Sequence, residues 1–134
     1  MTPILPVVSA LTAGVLIIMQ MVLLATVVGT RRRAAQSLGD GGKDEVLRVS
    51  RRHGNFAENA AIFVAALTLM EMLGGARWNV EALAAVFVAS RVLHAIGLSQ
   101  TNTVNVFRIT GVIGTVLAGI GVGARLLMLA ANHL

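Results

Sequence analysis

The sequence predicts an all-α membrane protein, a bundle of four transmembrane helices in one domain that spans residues 1–134. Hydrophobic residues make up 56% of the chain and charged residues 13%, and the mean hydropathy is +0.80. Soluble domains carry nearer a quarter charged residues. The chain also contains four stretches of roughly 20 mostly apolar residues, the helix length that crosses the hydrocarbon core of a bilayer.

The first predicted span covers about residues 4–29. It has no charged side chain before Arg31. It lacks the basic start of a signal peptide and is longer than the apolar core of one, so we expect it to remain as a span. The connector that follows, residues 30–50, contains the turn signal Asp40-Gly41-Gly42. Residues 43–53 have the pattern of a helix that continues into the second span.

The other predicted spans cover about residues 51–73, 80–98 and 106–131. A short turn containing Trp78 joins the second span to the third, and the uncharged polar run 99–103 joins the third to the fourth. Short loops rich in Lys and Arg stay on the cytoplasmic side of a membrane. We therefore expect the first connector to be cytoplasmic and both termini to lie on the opposite side, because that connector holds Arg31, Arg32, Arg33, Lys43 and Arg48.

Composition also argues against several functions. The 11 Lys and Arg residues outnumber the 6 Asp and Glu residues, but the charges are concentrated between Arg31 and Glu58. A nucleic-acid-binding surface is therefore not expected. The absence of cysteine excludes disulfides, thiolate metal sites and a thiol nucleophile on the protein. The histidines are isolated and carboxylates are few, so we expect no metal site.

Polar residues inside the spans gather at the predicted cytoplasmic end. Arg51, Asn55 and Glu58 follow an i, i+4, i+7 spacing, which places them on one face of the second span, with Asn59 at its edge. Ionisable groups within a span are costly and mark candidate functional positions. This face is therefore the first candidate for a binding site.

The third span contributes Arg91 and His94, which share a face at i, i+3. Glu58 and Arg91 lie at about the same depth on neighbouring antiparallel helices, so we expect them to form an ion pair. Whether that pair is purely structural stays open. His94 could be a general base or a hydrogen-bond donor that orients a neighbour.

Arg108 stands near the start of the fourth span. If Asn105 caps that helix, Arg108 lies in its first turn, where the helix dipole disfavours a cation unless an anion is close. The anion could be a lipid phosphate, or a ligand carboxylate or thiolate. Arg51 and one arginine of residues 31–33 would enlarge the same positive pocket.

Small residues recur every four positions on two spans and predict close helix contact, within or between subunits. They are Gly111, Thr115, Gly119 and Gly123 on the fourth span, and Ala57, Ala61 and Ala65 on the second.

These residues together resemble a known family. The segment Arg51-Arg52-His53-Gly54-Asn55-Phe56-Ala57-Glu58, preceded by residues 39–42 and followed by residues 70–76, is similar to the central signature of the MAPEG family, in its small bacterial branch. The family comprises membrane-associated proteins in eicosanoid and glutathione metabolism. Arg91, His94 and Arg108 also stand at matching positions, and the four-span layout covers the whole chain.

The resemblance implies a homotrimer in a bacterial inner membrane, with membrane lipids, glutathione and a lipophilic small molecule as partners and no metal. Each site would form between neighbouring subunits and catalyse glutathione transfer to hydrophobic electrophiles or reduction of lipid hydroperoxides. Arg108 would stabilise the glutathione thiolate as the catalytic residue. The glutathione-binding residues would be Arg51, Asn55, Glu58, Asn59, His94 and Arg31.

The chain differs from that pattern at two positions. Members with established transferase chemistry usually carry tyrosines where this chain has Asn59 and Leu98. The alternative is therefore a non-catalytic protein of the same fold that binds lipid headgroups or serves as an accessory subunit of a larger membrane complex. A small-anion carrier is a further class, but the polar residues do not continue across the spans.

Overall fold

A computed structural model describes residues 5–100 and 105–132 of the chain. In these ranges the protein forms four helices, α1 (Val7–Arg33), α2 (Asp44–Met72), α3 (Arg77–Gly97) and α4 (Val106–Ala131). The predicted all-α class is confirmed. Residue 4 of the first predicted span and most of the 99–103 connector lie outside the described residues.

Three of these helices, α1, α3 and α4, are long and apolar enough to cross a membrane. The helix α2 is not among them. It begins at Asp44 in the charged segment, as the predicted continuation over residues 43–53 anticipated, and its apolar part also contains Asn55, Glu58 and Asn59. Its other end carries Glu71. Composition alone therefore identifies three spans, and the position of α2 follows from its contacts.

Hydrogen bonds at both ends align α2 antiparallel to α1. The Glu71 carboxylate accepts hydrogen bonds from the Val8 amide (3.0 Å) and from the Ser9 amide (2.8 Å) and hydroxyl (2.6 Å) at the start of α1. Near the other end, Arg52 Nη2 donates to Thr26 Oγ1 at 3.0 Å. The stretch of α2 between these contacts is about 28 Å long at 1.5 Å per residue. It therefore traverses the same depth as α1.

A single apolar core lies between the helices. On α2 the buried residues recur at helical spacing from Phe56 to Met70, and Phe63 stacks on Phe87 of α3 with ring centroids 3.7 Å apart. Within the described residues α1 and α4 do not contact each other, so α2 and α3 occupy the centre of the bundle. The buried apolar side chains are Leu16, Leu23, Phe56, Ala60, Phe63, Leu67, Met70, Val80, Ala84, Phe87, Ala118 and Val122.

Glycines bring the backbones of α3 and α4 into contact. A Cβ at Gly111 would lie 2.6 Å from the backbone nitrogen of His94, and a Cβ at Gly97 would lie 2.6 Å from the backbone nitrogen of Arg108. By contrast, a Cβ at Gly119 or Gly123 would meet nothing within 4 Å. The predicted small-residue stripe of α4 is therefore used within the subunit at Gly111 and is open further along.

The C-termini of α1 and α3 lie at the same end of the bundle, which we call the connector end. There the Arg31 guanidinium donates to the carbonyls of Gly39 (2.8 Å) and Ser37 (3.3 Å), and to Ser50 Oγ (3.2 Å). The predicted turn is present, since the Gly42 amide donates to Asp40 Oδ1 at 3.1 Å and Gly42 has a φ of 72°. Arg31 thus ties the connector to both flanking helices.

Candidate functional site

A polar cluster near the connector end comprises Asn55, Asn59, Arg91, His94 and Thr115, and Arg91 is its buried centre. Its side chain is 2% exposed and lies 5.8 Å from the Phe87 ring centroid. Nη1 donates to the Asn55 carbonyl of α2 at 3.2 Å, and Nη2 donates to the Thr115 hydroxyl of α4. Its Nε has no hydrogen-bond partner among the described residues. One guanidinium therefore links α2, α3 and α4.

The predicted Glu58–Arg91 ion pair is not formed in this chain, and this is a correction. Glu58 is exposed, and Arg91 directs its hydrogen bonds to the neutral oxygens of α2 and α4. Glu58 stands two residues after the buried Phe56, which places it about 200° round the helix from the core face. Equal depth does not bring the two residues together, because Arg91 faces the core from α3 whereas Glu58 lies on the outer face of α2.

His94 packs one turn from Arg91 against Gly111. The imidazole belongs to a residue that is only 4% exposed, and neither ring nitrogen has a hydrogen-bond partner of acceptable geometry in the described parts of the chain. The nearby Arg108 amide is directed elsewhere, since it donates to Asn105 Oδ1 at 2.9 Å. Both roles considered for His94, base and orienting donor, remain predictions.

Arg108 occupies the first turn of α4, as predicted. Asn105 is the N-cap, with extended backbone and its side-chain oxygen on the Arg108 amide. The Asn105 amide group also donates to the Gly97 carbonyl at 2.9 Å, which fixes the start of α4 against the end of α3. The Arg108 backbone therefore packs against Gly97, three residues after His94 on α3, while Arg108 itself is exposed.

The predicted face of α2 divides into two parts. Asn55 and Asn59 are half-buried, and the Asn59 amide donates to the Asn55 carbonyl at 3.1 Å, the same oxygen that Arg91 contacts. Arg51 and Glu58 are exposed and point away from the core. The structure thus brings Asn55, Asn59 and Arg91 together, and leaves the charged members of the face on the outer surface of the single chain.

Arg31 lies apart from this cluster, because its guanidinium is bound to connector carbonyls and Ser50. Arg52, which the sequence did not single out, links α2 to α1 and to the segment that follows α3: Nη1 donates to Ser99 Oγ (2.5 Å) and Nη2 to Thr26 Oγ1. The helical spacing of α2 could have predicted this position, because Arg52 stands four residues before Phe56 and therefore on the core face of α2.

An apolar groove of about 260 Å³ runs between α2 and α4 next to the cluster. Asn59 and Thr115 are its polar lining residues, and the Phe63–Phe87 pair contributes the aromatic part of the wall. Such a groove suits the apolar portion of a ligand whose polar portion lies at the connector end. Among the described residues, no group of three or more His, Cys, Asp or Glu side chains could hold a metal ion.

Comparison with known proteins agrees with this architecture. No curated protein and no solved structure matches the chain. The model of the MAPEG family matches residues 9–128, a range that includes the core, the polar cluster and parts of all four helices. The chain is therefore an integral membrane protein that belongs to the MAPEG family.

Proposed function

We propose that this protein is a glutathione-dependent transferase or peroxidase that acts on hydrophobic electrophiles or lipid hydroperoxides. The family match over residues 9–128 carries the proposal. It is supported by the polar cluster, in which Asn55, Asn59 and His94 stand at positions that the resemblance assigns to glutathione binding, and which lies beside an apolar groove.

The charges on α2 complement those of glutathione, which has two carboxylates and one ammonium group. Arg51 would bind a carboxylate and Glu58 the ammonium, because guanidinium–carboxylate and carboxylate–ammonium contacts are strong charge-assisted hydrogen bonds. Both residues are exposed and are not part of the apolar core. Asn55 and Asn59 would contact the peptide groups between the two charged ends. The exposure of Arg51 and Glu58 supports this assignment.

Arg108 would then stabilise the glutathione thiolate, with the start of α4 adding the positive end of a helix dipole. In the transferase reaction the thiol releases its proton and the sulfur attacks the electrophilic carbon. A carbon–sulfur bond forms, and the leaving group departs with its electron pair. With a hydroperoxide, the sulfur attacks the terminal oxygen and the oxygen–oxygen bond breaks. The products are an alcohol and a glutathione sulfenic acid, which a second glutathione converts to disulfide and water.

The assembly in this proposal is a homotrimer, in which a neighbouring subunit completes each site. Ala61 and Ala65 lie on the exposed side of α2, where small residues permit close approach by a helix of another copy. Arg31 would reach the site of a neighbour only if its connector contacts rearranged. The protein would reside in a bacterial inner membrane with the connector end in the cytoplasm, as the positive charge of that end favours.

Glutathione titration of the purified trimer, followed by ultraviolet thiolate absorbance, tests the proposal. We expect a thiolate signal that disappears in Arg108→Ala and persists in Arg77→Ala, which removes an exposed arginine at the opposite end of the bundle. Turnover with a model electrophile should follow the same pattern. Absence of any thiolate signal in the folded wild-type protein would contradict the proposal.

One observation favours the non-catalytic alternative. Asn59 stands where related transferases usually carry tyrosine, and its amide is engaged with the Asn55 carbonyl of its own helix. If the wild-type protein bound no glutathione but co-purified with a larger complex in mild detergent, an accessory role would be the better description.

A further inference from the structure

A second polar pocket lies at the connector end, on the core face of α2 and apart from the cluster around Arg91. It has a volume of about 210 Å³, several times the ~30 Å³ that one water occupies in the liquid. Three elements contribute to it: the last turn of α1, the first turns of α2 and the residues that follow α3. Its polar lining residues are Thr30, Glu45, Arg48, Arg52 and Ser99.

Two arginines and one carboxylate, Glu45, line the pocket, and neither arginine is ion-paired among the described residues. Arg48 and Arg52 stand at i, i+4 on α2, and neither is within ion-pair distance of a carboxylate among the described residues. The two Arg52 contacts are to the hydroxyls of Ser99 and Thr26, which are neutral. Arg52 is half-buried, so its charge is only partly hydrated. An anion in the pocket would compensate it.

The position of the pocket indicates the source of that anion. Thr30 lies where the apolar part of α1 gives way to Arg31, and Ser99 follows the last turn of α3. This level is the boundary between hydrocarbon and water, where phospholipid phosphates are concentrated. Basic pockets between transmembrane helices at this level bind lipid headgroups.

Glu45 adds a requirement that a simple anion does not meet. It lines the same pocket one turn before Arg48, so the pocket presents two cationic groups and one anionic group. A phosphodiester next to a primary ammonium matches this arrangement. A choline headgroup cannot donate a hydrogen bond from its nitrogen, and a glycerol headgroup carries no cation.

We propose that this pocket is a binding site for the phosphoethanolamine headgroup of a membrane lipid, with the phosphate on Arg48 and Arg52 and the ammonium on Glu45. The site is separate from the proposed glutathione site, so its existence does not depend on the proposed function.

Native mass spectrometry of the intact protein in mild detergent tests the proposal, with phosphatidylethanolamine, phosphatidylglycerol and phosphatidylcholine titrated separately. We expect phosphatidylethanolamine to bind at least about tenfold more tightly than the other two lipids. Arg48→Gln should weaken binding of phosphatidylethanolamine and phosphatidylglycerol alike. Glu45→Gln should weaken only phosphatidylethanolamine, and Arg77→Gln, at the opposite end, should change neither.

Arg52→Gln also removes contacts between helices, so the exposed positions Glu45 and Arg48 carry the test. Equal affinity for the three lipids, or unchanged binding in Arg48→Gln, would overturn the proposal. So would displacement of the lipid by millimolar inorganic phosphate, which would identify a general anion site. Displacement by glutathione would also overturn it, because the pocket would then belong to the peptide.

Discussion

Replacing Gly111 by alanine is expected to separate α3 and α4 at the connector end. The added methyl group would lie 2.6 Å from the His94 nitrogen and 2.8 Å from its Cα. These are backbone atoms, so no side-chain rotation relieves the overlap. The helices must part locally, and the N-terminal turn of α4 that carries Arg108 must move relative to His94.

The size of the effect follows from two opposing contributions. Ordinary contacts to a Cβ begin at 3.4 Å, so the backbone must shift by most of an ångström, and overpacking of this kind costs about 1–3 kcal/mol. Alanine favours a helix over glycine by about 1 kcal/mol. We therefore expect the free energy of unfolding to fall by up to about 2 kcal/mol, whereas a helical Gly→Ala change without overlap should raise it by about 1 kcal/mol.

Reversible unfolding in detergent, followed by circular dichroism, measures this change. Gly119→Ala is the matched control, because it adds the same methyl group to the same helix where nothing lies within 4 Å. It should leave the stability unchanged or raise it. If Gly111→Ala unfolded at the same denaturant concentration as Gly119→Ala, the close backbone contact of α3 and α4 would be refuted.

Three further changes can be measured on the same preparation. Glu71→Ala removes the acceptor of three hydrogen bonds at the start of α1 and should lower the free energy of unfolding by about 2 kcal/mol. The control Glu81→Ala, at an exposed position, should have no measurable effect. Equal effects of the two changes would contradict the role of Glu71 as a cap of α1. Phe87→Ala removes a side chain that is 1% exposed and stacked on the Phe63 ring. It should lower the free energy of unfolding by about 3–5 kcal/mol. A loss below about 1 kcal/mol would argue against the described core. Arg31→Gln should accelerate thermolysin cleavage between α1 and α2, because it releases the connector carbonyls. The control Arg32→Gln should not. Equal cleavage rates in the two variants would show that Arg31 does not hold the connector.

The helices of this protein could be predicted from its sequence because each has a strong local signal. Long, mostly apolar stretches define α1, α3 and α4, and the Asn105 cap marks the start of α4. The turn at residues 40–42 and the early start of α2 also follow from local composition. These features depend on neighbouring residues only.

The contacts of the polar residues were harder to predict, because they depend on how each helix is rotated about its axis. Depth counted from the ends of two spans placed Glu58 opposite Arg91, but Glu58 faces away from α3. The core face of α2, from Phe56 to Met70, specifies that rotation. Extending the same face backwards reaches Arg52. Partners such as Thr115 could not be assigned, because the side chain that Arg91 meets depends on the register of α3 against α4.

The carboxylate that closes the start of α1 has a consequence for biogenesis. The backbone amides of Val8 and Ser9 meet their acceptor 62 residues or more further along the chain. The first amides of a helix have no acceptor within that helix, so the start of α1 is completed only when α2 packs beside it. Formation of the α1–α2 pair is therefore coupled to synthesis, because the chain must extend past Glu71 before the start of α1 can acquire this acceptor.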